Sequence, residues 1–132
     1  ISNDAIKVAT NNGQMLNAKI KFTESDLFNN ITDKYDLIIS NPPYVATGDI
    51  PQLDKKVKNY EPKQALDGGA DGLDIIRQIA LKYKDYLNEN GTLMFEFGIG
   101  QTDEIKKIFI DEDVEIVKDM AGIDRIAIVR TK

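Results

Sequence analysis

A short apolar stretch that runs straight into two prolines leaves a chain few ways to fold. Tyr35 to Ser40 carries Leu37-Ile38-Ile39 at its centre, and Asn41-Pro42-Pro43-Tyr44 follows without a break. The stretch reads as a strand close to the pattern of one buried on both faces, the kind found in parallel sheets flanked by helices. Proline has no N–H and a nearly fixed φ, so the strand must stop at Asn41 and the turn after it is stiff.

That turn concentrates chemistry at one point. Its carbonyls are free acceptors, Asn41 adds an amide oxygen and an NH2 group, and Tyr44 adds a flat face with a hydroxyl at its rim. The combination suits a planar –NH2 group, whose two hydrogens the carbonyls accept while the ring stacks on its plane. The plainer reading is a turn that only terminates a strand.

The rest of the chain alternates strands and helices. Ser2 caps a helix from Asn3 to about Leu16, with Ile6, Ala9, Gly13 and Leu16 on one face and Asn17 as a left-handed stop. Lys19 to Thr23 alternates and predicts a short strand, followed by a loop from Glu24 to Phe28. Val45 to Gly72 has no strong period and reads as a long loop, either functional or disordered. A helix is expected from about Leu73 to Leu87 on Ile76, Ile79, Ala80, Tyr83 and Leu87, then a buried strand from Thr92 to Phe97. A helix from Gln101 to Ile110 and strands over Val114–Lys118 and Arg125–Arg130 complete the pattern. The last two strands have no helix between them and should pair antiparallel, giving an α/β sheet with crossovers.

Composition removes several classes. The chain has no cysteine and no histidine, which argues against disulfides, zinc and any histidine-based triad. A proton acceptor must be a carboxylate, a lysine, a tyrosine or water. Apolar runs all fall well short of the ~20 residues of a membrane span, and no signal-peptide pattern opens the sequence. The formal net charge of −5 argues against a phosphate-gripping surface. Lys55-Lys56-Val57-Lys58, with Lys63 nearby, is the densest basic patch; it reads as a solvated loop or as an electrostatic rim for a partner bound to RNA. Gly98-Ile99-Gly100 stands between a strand and a helix, but the third glycine of a dinucleotide-binding turn is Asp103, so it reads as a tight turn.

Ser40-Asn41-Pro42-Pro43-Tyr44 behind such a strand resembles the signature of amino methyltransferases that use S-adenosylmethionine. Three further segments narrow the likeness: Asn59-Tyr60-Glu61-Pro62 with Ala65-Leu66, then Gly69 to Leu73, then Asp119 to Ile126. In order and spacing they resemble the HemK-type protein-(glutamine-N5) methyltransferases, which modify peptide chain release factors. The likeness covers essentially the whole chain. It implies a Rossmann-like class I methyltransferase sheet, of family order 3-2-1-4-5-7-6. The family's helical N-terminal domain and glycine-rich cofactor turn have no counterpart here. The resemblance therefore implies that residues 1–132 are a partial S-adenosylmethionine-dependent catalytic domain, truncated and lacking the first two strands. The strands from Tyr35 onward would keep the order 4-5-7-6, with the last strand antiparallel. It further implies weak cofactor binding by this chain alone, and an open edge on the Tyr35–Ser40 strand that can support a dimer.

The resemblance also assigns roles. Asn41 Oδ1 and the Pro42 carbonyl would accept the two N–H bonds of a glutamine side-chain amide, with Tyr44 as the stacking wall, so that Asn41, Pro42 and Tyr44 form the catalytic set. Pro43 and Glu61 join them in binding substrate. Asp26, the backbone N–H of Leu27, and Asn41 would meet the cofactor, S-adenosylmethionine; no metal is required. Read without the likeness, Asp26 is an ordinary turn residue and Glu61 a partner for Lys63 or Arg125. The implied protein partner is a release factor in the cytoplasm, with no membrane. Acidity and sparse aromatics count against direct nucleic-acid binding. Two alternatives stand beside this reading: an amino methyltransferase acting on adenine or cytosine in nucleic acid, and a non-catalytic binding module.

Overall fold

The structure is a computed structural model and describes residues 2–131; the two ends of the 1–132 span considered above, Ile1 and Lys132, lie outside the described residues. The chain divides into two compact units, residues 1–33 and 34–132. In the first, α1 spans Asn3–Met15, capped where Ser2 Oγ accepts from the Ala5 N–H at 3.2 Å. Asn17 takes the left-handed conformation that ends it, at φ 50°. Gly13, on its apolar face, is buried under the Phe22 ring, which stands where a Cβ would sit. Lys19 to Thr23, expected as a strand, is irregular. Its alternation is real, but the described residues give it no strand to pair with, and an unpaired ladder has no hydrogen bonds to hold it.

The second unit is built on a four-stranded sheet. β1 (Tyr35–Ser40), β2 (Leu87–Glu96), β3 (Asp113–Lys118) and β4 (Asp124–Arg130) lie in the order β1-β2-β4-β3. β1 and β2 are parallel, with Leu37 opposite Thr92 and Ser40 opposite Phe95. β4 runs antiparallel to both its neighbours, placing Leu93 opposite Val129 and Val114 opposite the same residue on the far side. This is the order expected for the last four strands of a methyltransferase sheet.

Alternate residues of β2 divide the sheet into two faces. Leu93, Phe95 and Phe97 are fully buried with Ala127 and Val129 of β4. This is the core face, joined by the side chains of α4 (Asp74–Lys82), the 3-10 turn Tyr83–Tyr86 and α5 (Thr102–Ile108). Phe109 links them, its ring 5.5 Å from Phe95 and 5.8 Å from Tyr83, the latter edge-on. The apolar stripe Ile76, Ile79, Tyr83 and Leu87 is buried as the periodicity requires, with Ala80 half-buried. However, the expected single helix from Leu73 to Leu87 starts at Asp74, ends at Lys82 and tightens into the 3-10 turn before β2 begins at Leu87.

The other face is covered less well, which corrects the expectation for β1. Leu37 is 47% exposed and Ile39 68% exposed, and the register sets them beside Thr92 and Met94. β1 thus has apolar residues on both faces, Ile38 half-buried on one and Leu37 and Ile39 exposed on the other. Val45–Gly72 also departs from expectation. It holds a 3-10 turn at Ile50–Gln52 and two short helices, α2 (Lys55–Tyr60) and α3 (Lys63–Leu66). Asp54 caps α2 by accepting from the Lys56 N–H at 2.8 Å. The basic patch Lys55-Lys56-Val57-Lys58 is therefore helical rather than a loop. Helices of six and four residues are too short to display a period.

Candidate active site

β1 delivers Asn41 to the carboxyl edge of the sheet, where the two prolines turn the chain across the end of β2. The turn does not stand alone. The Val45 N–H donates to the Leu66 carbonyl at 3.0 Å, and the Gly68 N–H donates to the Val45 carbonyl at 2.8 Å. Thr47 Oγ1 donates to Asp67 Oδ1 at 2.6 Å, and that oxygen also accepts the Gly69 N–H. These bonds hold the Asp67 carboxyl below the usual carboxylate range, the Thr47 bond first. α3 and the glycine loop after it are thereby laced along the strand-like segment after Tyr44.

The result is a cleft of about 460 Å³ lined by Asn41, Pro42, Pro43, Tyr44, Glu61 and the apolar Val45, Leu53, Val57, Ala65 and Leu66. All five residues expected to meet the substrate thus share one cavity. Pro42 is buried and Asn41 is exposed at the mouth. Neither the Asn41 amide group nor the Pro42 carbonyl is hydrogen-bonded among the described residues. Glu61 ends α2 and faces this cleft. The ion pairs suggested for it are made otherwise: Lys63 pairs with Asp67 at 3.5 Å and Arg125 with Asp119 at 3.7 Å.

Tyr44 is fixed at several points. Its hydroxyl donates to Glu96 Oε1 at 2.8 Å, and the Arg125 guanidinium lies 6.0 Å from its ring centre. Burial raises its phenol above the ordinary value, and the hydrogen bond to the Glu96 carboxylate raises it further. The ring also borders a second cleft of about 490 Å³, lined by Asp49, Asp71, Ile99, Gln101 and Arg125 among others.

Asp26 and Leu27, expected at the cofactor, belong to the first unit. They form a turn in which the Asn29 N–H donates to the Asp26 carbonyl, and Leu27 adopts φ 48°. The Asp26 side chain is exposed and makes no ion pair or hydrogen bond among the described residues. Gly98-Ile99-Gly100 is the tight turn the sequence suggested, with the Gln101 N–H donating to the Gly98 carbonyl at 3.3 Å.

Three residues of the site escaped sequence reasoning: Glu96, Gln101 and Arg125 in their roles around Tyr44. The sequence sets Glu96 near the end of the strand Thr92–Phe97 and Arg125 at the start of the last strand, but nothing in the spacing joins positions so far apart to Tyr44. Only the sheet order, which sets β2 between β1 and β4, brings them together. Among the described residues no group of three or more acidic side chains is arranged to hold a metal ion, and no helix is long and apolar enough to cross a membrane.

Comparison with known proteins agrees with this architecture. The model of the methyltransferase small domain family matches residues 1–109. A release factor glutamine methyltransferase of Geobacter sulfurreducens is 42% identical over 126 residues, covering 92% of this chain and 44% of that protein. One from Fusobacterium nucleatum is 40% identical over 137 residues, covering 98% and 38%. The chain spans about half the length, or less, of these curated relatives. Among solved structures, a methyltransferase from Pyrococcus furiosus superposes with a TM-score of 0.69 at 15% identity, over 98% of this chain and 58% of that one. A ribosomal protein L11 methylase from Lactobacillus delbrueckii subsp. bulgaricus does so at 0.67 and 17%, over 100% and 55%. At such identities the likeness is one of fold.

Proposed function

The chain belongs to the methyltransferase small domain family, and from that premise we propose that it carries the acceptor site of an S-adenosylmethionine-dependent N-methyltransferase. The acceptor is the side-chain amide nitrogen of a glutamine in a peptide chain release factor, in the cytoplasm. One observation carries the reading: the cleft sets the unbonded Asn41 amide and Pro42 carbonyl beside the Tyr44 ring. The curated relatives' names supply the substrate.

An amide nitrogen is a poor nucleophile because its lone pair is delocalised into the carbonyl. Asn41 Oδ1 and the Pro42 carbonyl accept its two N–H bonds, which fixes the nitrogen and raises its electron density. The same acceptors stabilise the positive charge that develops as the new bond forms. Tyr44 stacks on the amide plane, and its hydroxyl is already committed to Glu96. Pro43 stiffens the turn and Glu61 borders the cleft where the rest of the substrate enters. Once methylated, the nitrogen loses its proton readily to water, so the chain's lack of histidine is no obstacle. The cofactor would supply an electrophilic methyl on sulfonium. In the second unit the unbonded Asn41 and Pro42 acceptors suit the transfer point; in the first, taken by itself, the exposed Asp26 carboxylate and the Leu27 N–H suit an adenine amino group and a ring nitrogen.

The test is methyl transfer from radiolabelled S-adenosylmethionine by the protein carrying this chain, offered a release factor or duplex DNA. Label on the release factor glutamine, lost in Asn41→Ala, is expected. Label on adenine or cytosine instead would replace this reading with the nucleic-acid one. Absence of transfer to either would leave the binding-module alternative.

A further inference from the structure

Tyr44 lines both of these clefts, together with Val45 and Leu53. Which way its ring faces therefore contributes to the shape of each. The side chain of Gln101 is bonded on all sides around this point. Its Nε2 donates to the Tyr44 carbonyl at 3.1 Å and to the Asp71 carbonyl at 3.2 Å, while its Oε1 accepts the Gly98 N–H at 2.8 Å. One amide thus ties together the chain after β1, the glycine loop before α4 and the turn after β2. Its partners are fixed in turn. Asp71 is held by Arg77 of α4 at 2.5 and 2.9 Å and accepts the Leu73 N–H. Gly72 packs so close that a Cβ there would lie 2.2 Å from the Tyr44 carbonyl oxygen. At the other end of the same residue, the hydroxyl is held by Glu96.

We infer that Gln101 and Glu96 are positioning residues for Tyr44, Gln101 setting its backbone and Glu96 its hydroxyl, so that the ring stands as a fixed wall of the acceptor cleft. The inference rests on the methyltransfer reading for its consequence, but not for its geometry. A stacking wall works only if its plane is fixed before the acceptor arrives, and a misplacement of about 1 Å at such a point costs on the order of 10²-fold in rate. Gln101 never reaches the acceptor; it acts through the carbonyl of Tyr44. The chemistry is asymmetric in a useful way. The Gly98 bond needs an acceptor, whereas the two carbonyls need two donors, and among side chains only an amide supplies two donors and an acceptor.

Gln101→Glu keeps the size and the acceptor for Gly98 but sets an oxygen against two carbonyls. Glu96→Gln keeps an acceptor for the tyrosine hydroxyl, and Glu96→Leu removes it. Protein labelled with fluorotyrosine reports the ring directly, the Tyr44 signal being the one lost in Tyr44→Phe. Gln101→Glu and Glu96→Leu should each shift or broaden that signal, and Glu96→Gln should largely restore it. In the methyl-transfer assay, kcat should fall about 10–10²-fold in Gln101→Glu, with the KM for S-adenosylmethionine little changed. In a Tyr44→Ala background the same substitution should have little further effect. An unmoved Tyr44 signal in both Gln101→Glu and Glu96→Leu would overturn the inference, as would a full Gln101→Glu penalty in the Tyr44→Ala background. If Gln101→Glu does not fold, the Glu96 pair decides the matter by the same signal. Should the wild-type protein methylate no glutamine, the fluorine signal still decides the positioning, so the two readings fail separately.

Discussion

Gly72→Ala is the substitution whose cost the structure fixes most closely, because two other glycines isolate its parts. Gly72, Gly100 and Gly122 all sit in left-handed conformation, at φ +78°, +82° and +78°. A Cβ at Gly100 or Gly122 meets nothing within 4 Å, so alanine there reports conformational strain alone. That strain is about 1–2 kcal/mol, offset by about 0.4–1 kcal/mol because alanine also restricts the unfolded chain. At Gly72 the Cβ would lie 2.2 Å from the Tyr44 carbonyl oxygen and 2.6 Å from Gln101 Nε2. Neither overlap involves a free side-chain tip, so the backbone has to separate. The two bonds that Gln101 donates to Tyr44 and Asp71 are then the first to break, at about 0.5–1.5 kcal/mol each. Gly72→Ala should therefore cost about 2–4 kcal/mol, against about 1 kcal/mol for either control. Urea unfolding of the three variants, compared at a common slope, measures the difference. Equal losses in all three would show that the glycine loop does not press on Tyr44, and the account of Gln101 would lose its support.

Phe95→Ala should cost about 3–5 kcal/mol, since Phe95 is buried at the centre of the core face against Phe109; urea unfolding checks it, and a loss below 1.5 kcal/mol would show that the site collapses freely. Burial, with the Glu112 carboxylate near, pushes the Tyr83 phenol up to about 12. A raised folded value means stability present below the ordinary tyrosine range near 10 and lost as pH climbs to about 12. Tyr83→Phe should then move the midpoint of alkaline unfolding upward, followed by circular dichroism, and an unchanged midpoint would count against it. Arg77 holds the Asp71 carboxyl down to about 2, so its stabilisation is present above the ordinary carboxylate value near 4 and lost as pH falls through about 2. Asp71→Asn, which can still accept the Leu73 N–H, should lower stability slightly at neutral pH, as exposed pairs do, with the gap closing in strong acid.

The parts of this molecule that local chemistry dictates were legible in its sequence. The stop at Asn17, the turn at Gly98-Ile99-Gly100, the antiparallel closing pair and the buried stripe of α4 each follow from a few neighbouring residues. So did the gathering of Asn41, Pro42, Pro43, Tyr44 and Glu61, although there the resemblance to a family contributed what spacing alone could not. The short helices α2 and α3 were hidden because neither is long enough to repeat. Lys19 to Thr23 was misread for the opposite reason. Its alternation states a preference, and a strand needs a partner to realise it.

β1 shows where reading a sequence stops. Leu37, Ile38 and Ile39 make its type plain, and the prolines make its end plain, yet its burial could not be had from either. Burial belongs to whatever packs on a face, and within this unit one face only half-buries Ile38 while the other leaves Leu37 and Ile39 exposed. The site obeys the same division. The acceptors of Asn41 and Pro42 are supplied by one tetrapeptide, whereas the orientation of Tyr44 depends on Glu96, Gln101 and Arg125 from elsewhere in the chain. On the proposed reading, Asn-Pro-Pro-Tyr supplies the groups that meet the acceptor amide, and the sheet order sets how firmly the wall beside them stands. Changes that leave the tetrapeptide intact can on this account still remove most of the rate, and Gln101 is the position where that separation is sharpest.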